Sequence, residues 1–342
     1  MRKHGFWLAL ALCGCTAIET PPPQASDRSG VISHGPCGIG RASSSVADLV
    51  DRTPQEWGGL SCAAPLYRAG AEYHDDEINA VLSLAENSDL ALSATGPYPI
   101  LRPGPLSGVP ILIKDNIETL ELPTTAGSLA LANNDTERDA PLVARLRAAG
   151  AIIIGKTNLS EWANIRSSNS SSGWSAVGGL TRNPHSLSHS ACGSSSGSAA
   201  AVAAGLAPAA IGTETDGSIV CPAAMNGIVG FKPTVGLVSR THIVPISESQ
   251  DTAGPMTLTV EDAAILLTVM AGSDPLDPRT VEADARRVDY RAALDPGSLN
   301  GARIGVARFL TGYSAETDAV FEQRLQDLRD AGAILVDISE GP

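Results

Sequence analysis

Three stretches of this 342-residue chain carry residue types that could do chemistry. Gly150-Ala151-Ile152-Ile153-Ile154-Gly155-Lys156-Thr157 fits the spacing of a phosphate-cradling P-loop. Gly193-Ser194-Ser195-Ser196-Gly197 fits the G-x-S-x-G nucleophile elbow. With Asp216 and His242 downstream, it offers a Ser195–Asp216–His242 triad in the chain order of an esterase. The third stretch is a constellation. Lys114 closes the apolar run Gly108-Val109-Pro110-Ile111-Leu112-Ile113. The run Cys192-Gly193-Ser194-Ser195-Ser196-Gly197-Ser198 and the string Gly212-Thr213-Glu214-Thr215-Asp216-Gly217-Ser218-Ile219 follow later. A serine hydroxyl attacks only if a base takes its proton, so each serine reading needs a partner.

The elements that would hold these residues separate the three. A P-loop needs a strand before its first glycine and a loop whose amides wrap phosphate. Here a helical stripe over Asp139–Ala149 precedes Gly150, and the intervening residues read as a strand, Ala151–Ile154. An elbow needs a strand before its serine, and the polar segment Asn183–Cys192 does not read as one. Further strands are expected at Val109–Ile113, Pro208–Ile211, Arg303–Val306 and Ala333–Val336. Helices are expected at Ser198–Leu206, Thr259–Met270 and Thr317–Ala331. This alternation predicts an α/β fold with helices on the faces of a sheet, and one body from about Val46 with no interior linker. A Gly/Ser linker at 192–198 is excluded by the regular apolar elements close on both sides.

Composition narrows the partners. Lysine and arginine total 24 against 37 acidic residues, a net charge of −13, and aromatics are only 4%. Nucleic acid is not an expected partner, because it requires a basic face. Arg2, Lys3 and His4 before the short apolar run Phe6–Leu12 read as an export signal. Residues 1–15 are therefore expected to be a signal peptide whose Leu12-Cys13-Gly14-Cys15 end is lipobox-like, with Cys15 as a lipidation site. Residues 16–45 read as a Pro/Ser/Gly-rich tether, and 46–342 as the folded body. The expected location is the periplasm or the outer membrane, as an exported bacterial lipoprotein. Cys37 with Cys62 and Cys192 with Cys221 are the conceivable disulfides, and spacing does not decide between connectivities. No zinc-type spacing occurs, so no metal is indicated.

Residues 104–262 resemble the amidase signature family. The resemblance rests on Gly108-Val109-Pro110 leading to Lys114-Asp115, on Gly155-Lys156-Thr157-Asn158, and on Thr181-Arg182-Asn183-Pro184. It also rests on the serine run, on Gly212–Ile219, on Gly230-Phe231-Lys232-Pro233-Thr234 and on Asp251-Thr252-Ala253-Gly254-Pro255. It implies a central mixed β-sheet covered by helices on both faces, and a Ser–cisSer–Lys triad. Lys114 falls on the family's lysine, Ser194 on the bridging serine after a cis peptide from Gly193, and Ser218 on the nucleophile. Two departures stand out. Asp216-Gly217-Ser218 replaces the common Gly-Gly-Ser, and Val220-Cys221 stands where arginine is common. With Trp174, these strings resemble the bacterial peptide amidase branch, which hydrolyses C-terminal peptide amides.

The implied chemistry makes demands of its own. Lysine is ordinarily protonated, with a pKa of about 10.4. Desolvation at the end of an apolar strand would free Lys114 to act as a base. The backbone N–H groups of Thr215, Asp216, Gly217 and Ser218 are the expected oxyanion hole, and Gly193 and Ser195 the expected support. No cofactor is expected. The expected partner is a small amide or peptide-amide substrate, with membrane attachment through an N-terminal lipid and an undetermined oligomeric state. Three alternatives remain: a non-catalytic amidase-like surface protein, a tRNA-dependent amidotransferase of the A type, and the Ser195–Asp216–His242 esterase. Family domains extend further, so a C-terminal part of the fold is expected to be missing after residue 342.

Overall fold

The computed structural model describes residues 45–50, 63–86 and 104–341. The expected signal segment, tether, Cys15 and the Cys37–Cys62 pair lie outside the described residues. Those described fall into two compact units, 45–291 and 292–341, where a single body was expected.

In the larger unit the main helices are α1 (Val46–Val50), α2 (Ala63–His74), α3 (Pro141–Ala148), α4 (Ser196–Ala203), α5 (Val220–Asn226) and α6 (Val260–Met270). Its main strands are β1 (Val81–Leu84), β2 (Pro110–Lys114) and β3 (Ile152–Thr157). Two small hairpins follow, β4 (Trp174–Ser175) with β5 (Gly179–Leu180), and β6 (Arg182–Asn183) with β7 (Ser186–Ser190). Then come β8 (Ala209–Glu214), β9 (Val229–Gly230) and β10 (Thr252–Thr257). Six strands form one mixed sheet in the order β1-β3-β2-β8-β10-β9. The pairs β3/β2 and β2/β8 are parallel, and the other three are antiparallel. The smaller unit holds β11 (Arg303–Ala307), α7 (Ala315–Asp330) and β12 (Ile334–Ile338), with β11 parallel to β12.

Strand alternation sends successive side chains to opposite faces, and both faces are covered. Ile111, Ile113, Ile153, Ala209 and Ile211 pack in one core with Leu142, Val143 and Leu146 of α3 and Ile265–Leu267 of α6. Leu112, Ile152, Ile154, Ala210 and Met256 pack in the other with Tyr67 of α2 and Ala199–Val202 of α4. Helix α6 is capped by Thr259, whose hydroxyl accepts from the Asp262 N–H at 3.1 Å. Helix α4 is buried over most of its length because its side chains are small.

Two sequence expectations need correction. The strand expected to end at Ile154 continues through Gly155-Lys156-Thr157, in keeping with the rejection of a phosphate loop there. The segment 183–192 is not strandless: β7 lies within it and pairs with β6, which ends at Asn183. Strand β7 is exposed along most of its length, so it lacks the apolar alternation by which strands are read.

Candidate active site

The parallel register of β2 beside β8 brings Lys114 to Thr213. Ile111, Leu112 and Ile113 stand opposite Ala209, Ala210 and Ile211, so Lys114 follows at the level of Gly212, one residue before Thr213. Lys114 is fully buried. Its Nζ donates to Ser194 Oγ at 2.8 Å, to Thr213 Oγ1 at 2.8 Å and to the Thr213 carbonyl at 3.2 Å. Asn116 Nδ2 donates to the same Thr213 hydroxyl at 3.0 Å. Burial pulls the Lys114 pKa down to about 7, against a smaller upward pull from Glu214 and Asp251.

Ser194 follows a cis peptide from Gly193. Its carbonyl accepts from the Ser160 N–H at 3.1 Å. Gly193 is needed for close approach, since a Cβ there would lie 2.4 Å from Ser160 Oγ. Ser195 is buried and is spent on structure: its hydroxyl donates to the Thr213 carbonyl at 3.0 Å and accepts from the Thr213 N–H at 3.2 Å. Its own N–H donates to the Ser218 carbonyl at 3.1 Å, which ties the two serine loops together.

Ser218 sits at the end of the turn 215–218, 9% exposed, at the mouth of α5. Gly217 takes φ +76°, a left-handed conformation that glycine adopts without cost. The Glu214 carboxylate reaches across the turn and accepts from the N–H groups of Ile219 (2.7 Å) and Val220 (2.9 Å). This occupies the start of α5 with an anion and closes the turn on itself. Among the described residues, no hydrogen bond takes up the N–H of Asp216, Gly217 or Ser218. Thr215 Oγ1 donates to Asp251 Oδ1 at 2.5 Å, and Asp251 Oδ2 accepts from the N–H groups of Ile246 and Ser247. A cavity of about 330 Å³ opens beside Asn116, Thr213, Glu214, Thr215 and Asp251.

Cys192 and Cys221 form a disulfide, with Cα atoms 6.0 Å apart. The esterase triad is not assembled. His242 Nδ1 lies 3.6 Å from Glu118 Oε2, Asp216 is exposed, and Ser195 is occupied by Thr213. Lys156 is a buried structural group that donates to the Ile117 carbonyl (2.7 Å) and Thr124 Oγ1 (2.9 Å), 3.4 Å from Asp115 Oδ1. Sequence reasoning missed Thr213, Asn116, Glu214 and Asp251 as partners of the site. The string Gly212–Ile219 contained two of them, but nothing local says that Thr213 faces Lys114.

A family model described as Amidase matches residues 66–341. The native peptide amidase from Stenotrophomonas maltophilia is 49% identical, with a TM-score of 0.79 over 87% of this chain and 62% of its own. An amidase family protein from Bacillus anthracis is 36% identical, with a TM-score of 0.78 over 87% of this chain and 61% of its own. A curated glutamyl-tRNA(Gln) amidotransferase of the A type from Roseiflexus castenholzii is 48% identical over 237 residues, 69% of this chain and 47% of its own length. The chain thus spans about half the length of such a curated relative.

Proposed function

The chain belongs to the amidase signature family, and from that premise we propose that it is a serine amidohydrolase acting through Ser218, Ser194 and Lys114. The observation that carries the reading is the contact of a fully buried, readily deprotonated lysine with the hydroxyl of Ser194. Ser218 Oγ attacks the carboxamide carbon, and its proton passes to Ser194 as the Ser194 proton passes to Lys114. The carbonyl oxygen becomes an oxyanion held by N–H groups of the 215–218 turn, worth about 3–4 kcal/mol for one such donor. Collapse breaks the C–N bond, and Lys114 returns the proton through Ser194 to the leaving nitrogen. Ammonia departs from an ester on Ser218. Water then hydrolyses the ester by the same relay, releasing carboxylate and free Ser218.

The substrate class proposed is the C-terminal amide of peptides, supported by the 49% identity to a peptide amidase. The identity to a tRNA-dependent amidotransferase keeps that reading in view. Against it stand the expected export signal and the Cys192–Cys221 disulfide, a bond that persists in oxidising compartments. We propose on those grounds that the protein works outside the cytoplasm, and from the lipobox-like Leu12–Cys15 that it is held through Cys15. Ammonia release from a peptide amide, measured for the wild type, Lys114→Ala, Ser218→Ala and His242→Ala, tests the chemistry. Loss in the first two variants alone is expected. Full activity in Lys114→Ala, or none in the wild type on any amide, would overturn it.

A further inference from the structure

The disulfide lies between the two serine loops. Cys192 stands two residues before Ser194, and Cys221 stands three residues after Ser218, in the first turn of α5. Ile219 and Ala223 share an apolar core with Ala199–Val202 further along, but few hydrogen bonds join the two loops themselves. The Ser195 N–H reaches the Ser218 carbonyl at 3.1 Å, and Asn226 Nδ2 at the far end of α5 reaches the Ala191 carbonyl at 2.9 Å. Cys192 is also held at φ +57°, a left-handed conformation that a residue with a Cβ rarely adopts. Its loop is thus constrained into a shape that the backbone does not favour by itself.

The sheet does not depend on this link. Neither cysteine belongs to the two apolar cores, and Lys114 is fixed on β2 by strand pairing and by Thr213. What the link sets is the position of the Ser194 loop relative to the Ser218 turn. We propose that the Cys192–Cys221 disulfide is a positioning device for acyl transfer, clamping the Ser194 loop to the Ser218 turn so that reduction disengages the relay while the fold stays intact. This rests on the Ser218–Ser194–Lys114 reading. Cys192 is half-buried and Cys221 likewise, within reach of a small thiol. A dithiol supplies two electrons and two protons. The S–S bond breaks, two cysteine thiols form, and the dithiol closes to its own disulfide. Activity would then be confined to oxidising surroundings.

The test compares the full chain oxidised, reduced with dithiothreitol, re-oxidised, and as the Cys192→Ser/Cys221→Ser double variant. Ammonia release, thermal unfolding and amide hydrogen exchange are followed together. On reduction, kcat should fall roughly tenfold to a hundredfold, the scale set by small misplacements of reacting groups. KM should stay within about twofold, because the substrate contacts remain. Re-oxidation should restore kcat, and the double variant should match the reduced enzyme and ignore dithiothreitol. Exchange should quicken over 191–198 and 217–222, with unfolding still one cooperative transition. An unchanged kcat on reduction overturns the proposal. So does a loss of cooperative unfolding, which would make the bond a fold staple. If the oxidised chain releases no ammonia from any amide, the catalytic reading has failed, and exchange alone decides. Unchanged exchange over 191–198 then overturns the clamp, and faster exchange confined to the two loops upholds it.

Discussion

Thr213 holds Lys114 with two of its atoms, the hydroxyl at 2.8 Å and the backbone carbonyl at 3.2 Å. The third bond of the Lys114 nitrogen goes to Ser194 at 2.8 Å. Thr213 therefore aims Lys114 at the bridging serine. Its hydroxyl also takes the Asn116 Nδ2 donor, so one oxygen serves two buried groups. Thr213→Val keeps the shape and removes that acceptor. Leaving buried donors unsatisfied costs about 1–3 kcal/mol. We expect kcat to fall roughly tenfold to a hundredfold, at about 1.4 kcal/mol per factor of ten, with KM little changed. Steady-state ammonia release measures both. A change in KM with kcat untouched would contradict the aiming role.

The acid limb of the pH–rate profile should report Lys114. It acts as a base only when neutral, and its pKa is pulled down to about 7 by burial. Activity should therefore rise through about pH 7 and level off above it. Glu214 is among the groups that pull the value back up. Glu214→Gln keeps an acceptor for Ile219 and Val220 and removes the charge, so the limb should move to lower pH. Movement to higher pH would show that the acid limb belongs to another group. Stability follows the same titration. Between about pH 10.5 and 7 the unfolded chain binds a proton at Lys114 that the folded chain refuses, so stability falls as pH falls across that window. Lys114→Met should remove that component, read by denaturant unfolding at about pH 7.5 and about pH 10.

Much of this architecture was legible in the sequence. The apolar run before Lys114, the stripe of α3 and the helical stretch that became α6 are local patterns, and local patterns survive folding. Strand β10 was harder. Its Thr-Ala-Gly-Pro-Met-Thr carries a proline and a glycine, which argue against a central strand. The sheet tolerates them because β9 pairs only with Met256 and Thr257, and beyond that pairing Pro255 needs only its carbonyl, which accepts from the Phe231 N–H at 3.1 Å. Gly254 lies where a Cβ would meet the Phe231 carbonyl at 2.0 Å, so that glycine marks close approach rather than a loop. The partners of Lys114 were illegible for another reason. The meeting of residues 114 and 213 depends on the register of β2 against β8, and no short-range signal encodes register between strands so far apart.

Lys156 on β3 and Asp115 in the turn just after β2 are both buried and 3.4 Å apart. Removing one member of a buried pair strands the other, at a cost of about 3–5 kcal/mol. Asp115→Asn should therefore lower the unfolding free energy by about that much. The double variant Asp115→Asn/Lys156→Met should recover part of it, because no charge is then left alone. Urea unfolding of the four proteins closes the cycle. If the two single losses simply add, the pair is not coupled, and the bonds of Lys156 to Ile117 and Thr124 carry its stability instead.

His242 offers the sharpest contrast between a plausible chain order and the folded chain. Its Nδ1 stands 3.6 Å from Glu118, which also holds Arg138, and none of these groups contacts Ser195. The His242 side chain is 28% exposed, so its pairing is worth no more than about 1 kcal/mol. His242→Ala should leave ammonia release within about twofold of the wild type and lower stability by less than that figure. Ser195→Ala should behave differently. It removes the hydroxyl that bridges the Thr213 N–H and carbonyl, so β8 loses a fixed point beside Lys114. We expect kcat to drop about tenfold through misplacement of Lys114, with the pH limb shifted. Abolished activity in His242→Ala with wild-type kinetics in Ser195→Ala would reverse both assignments.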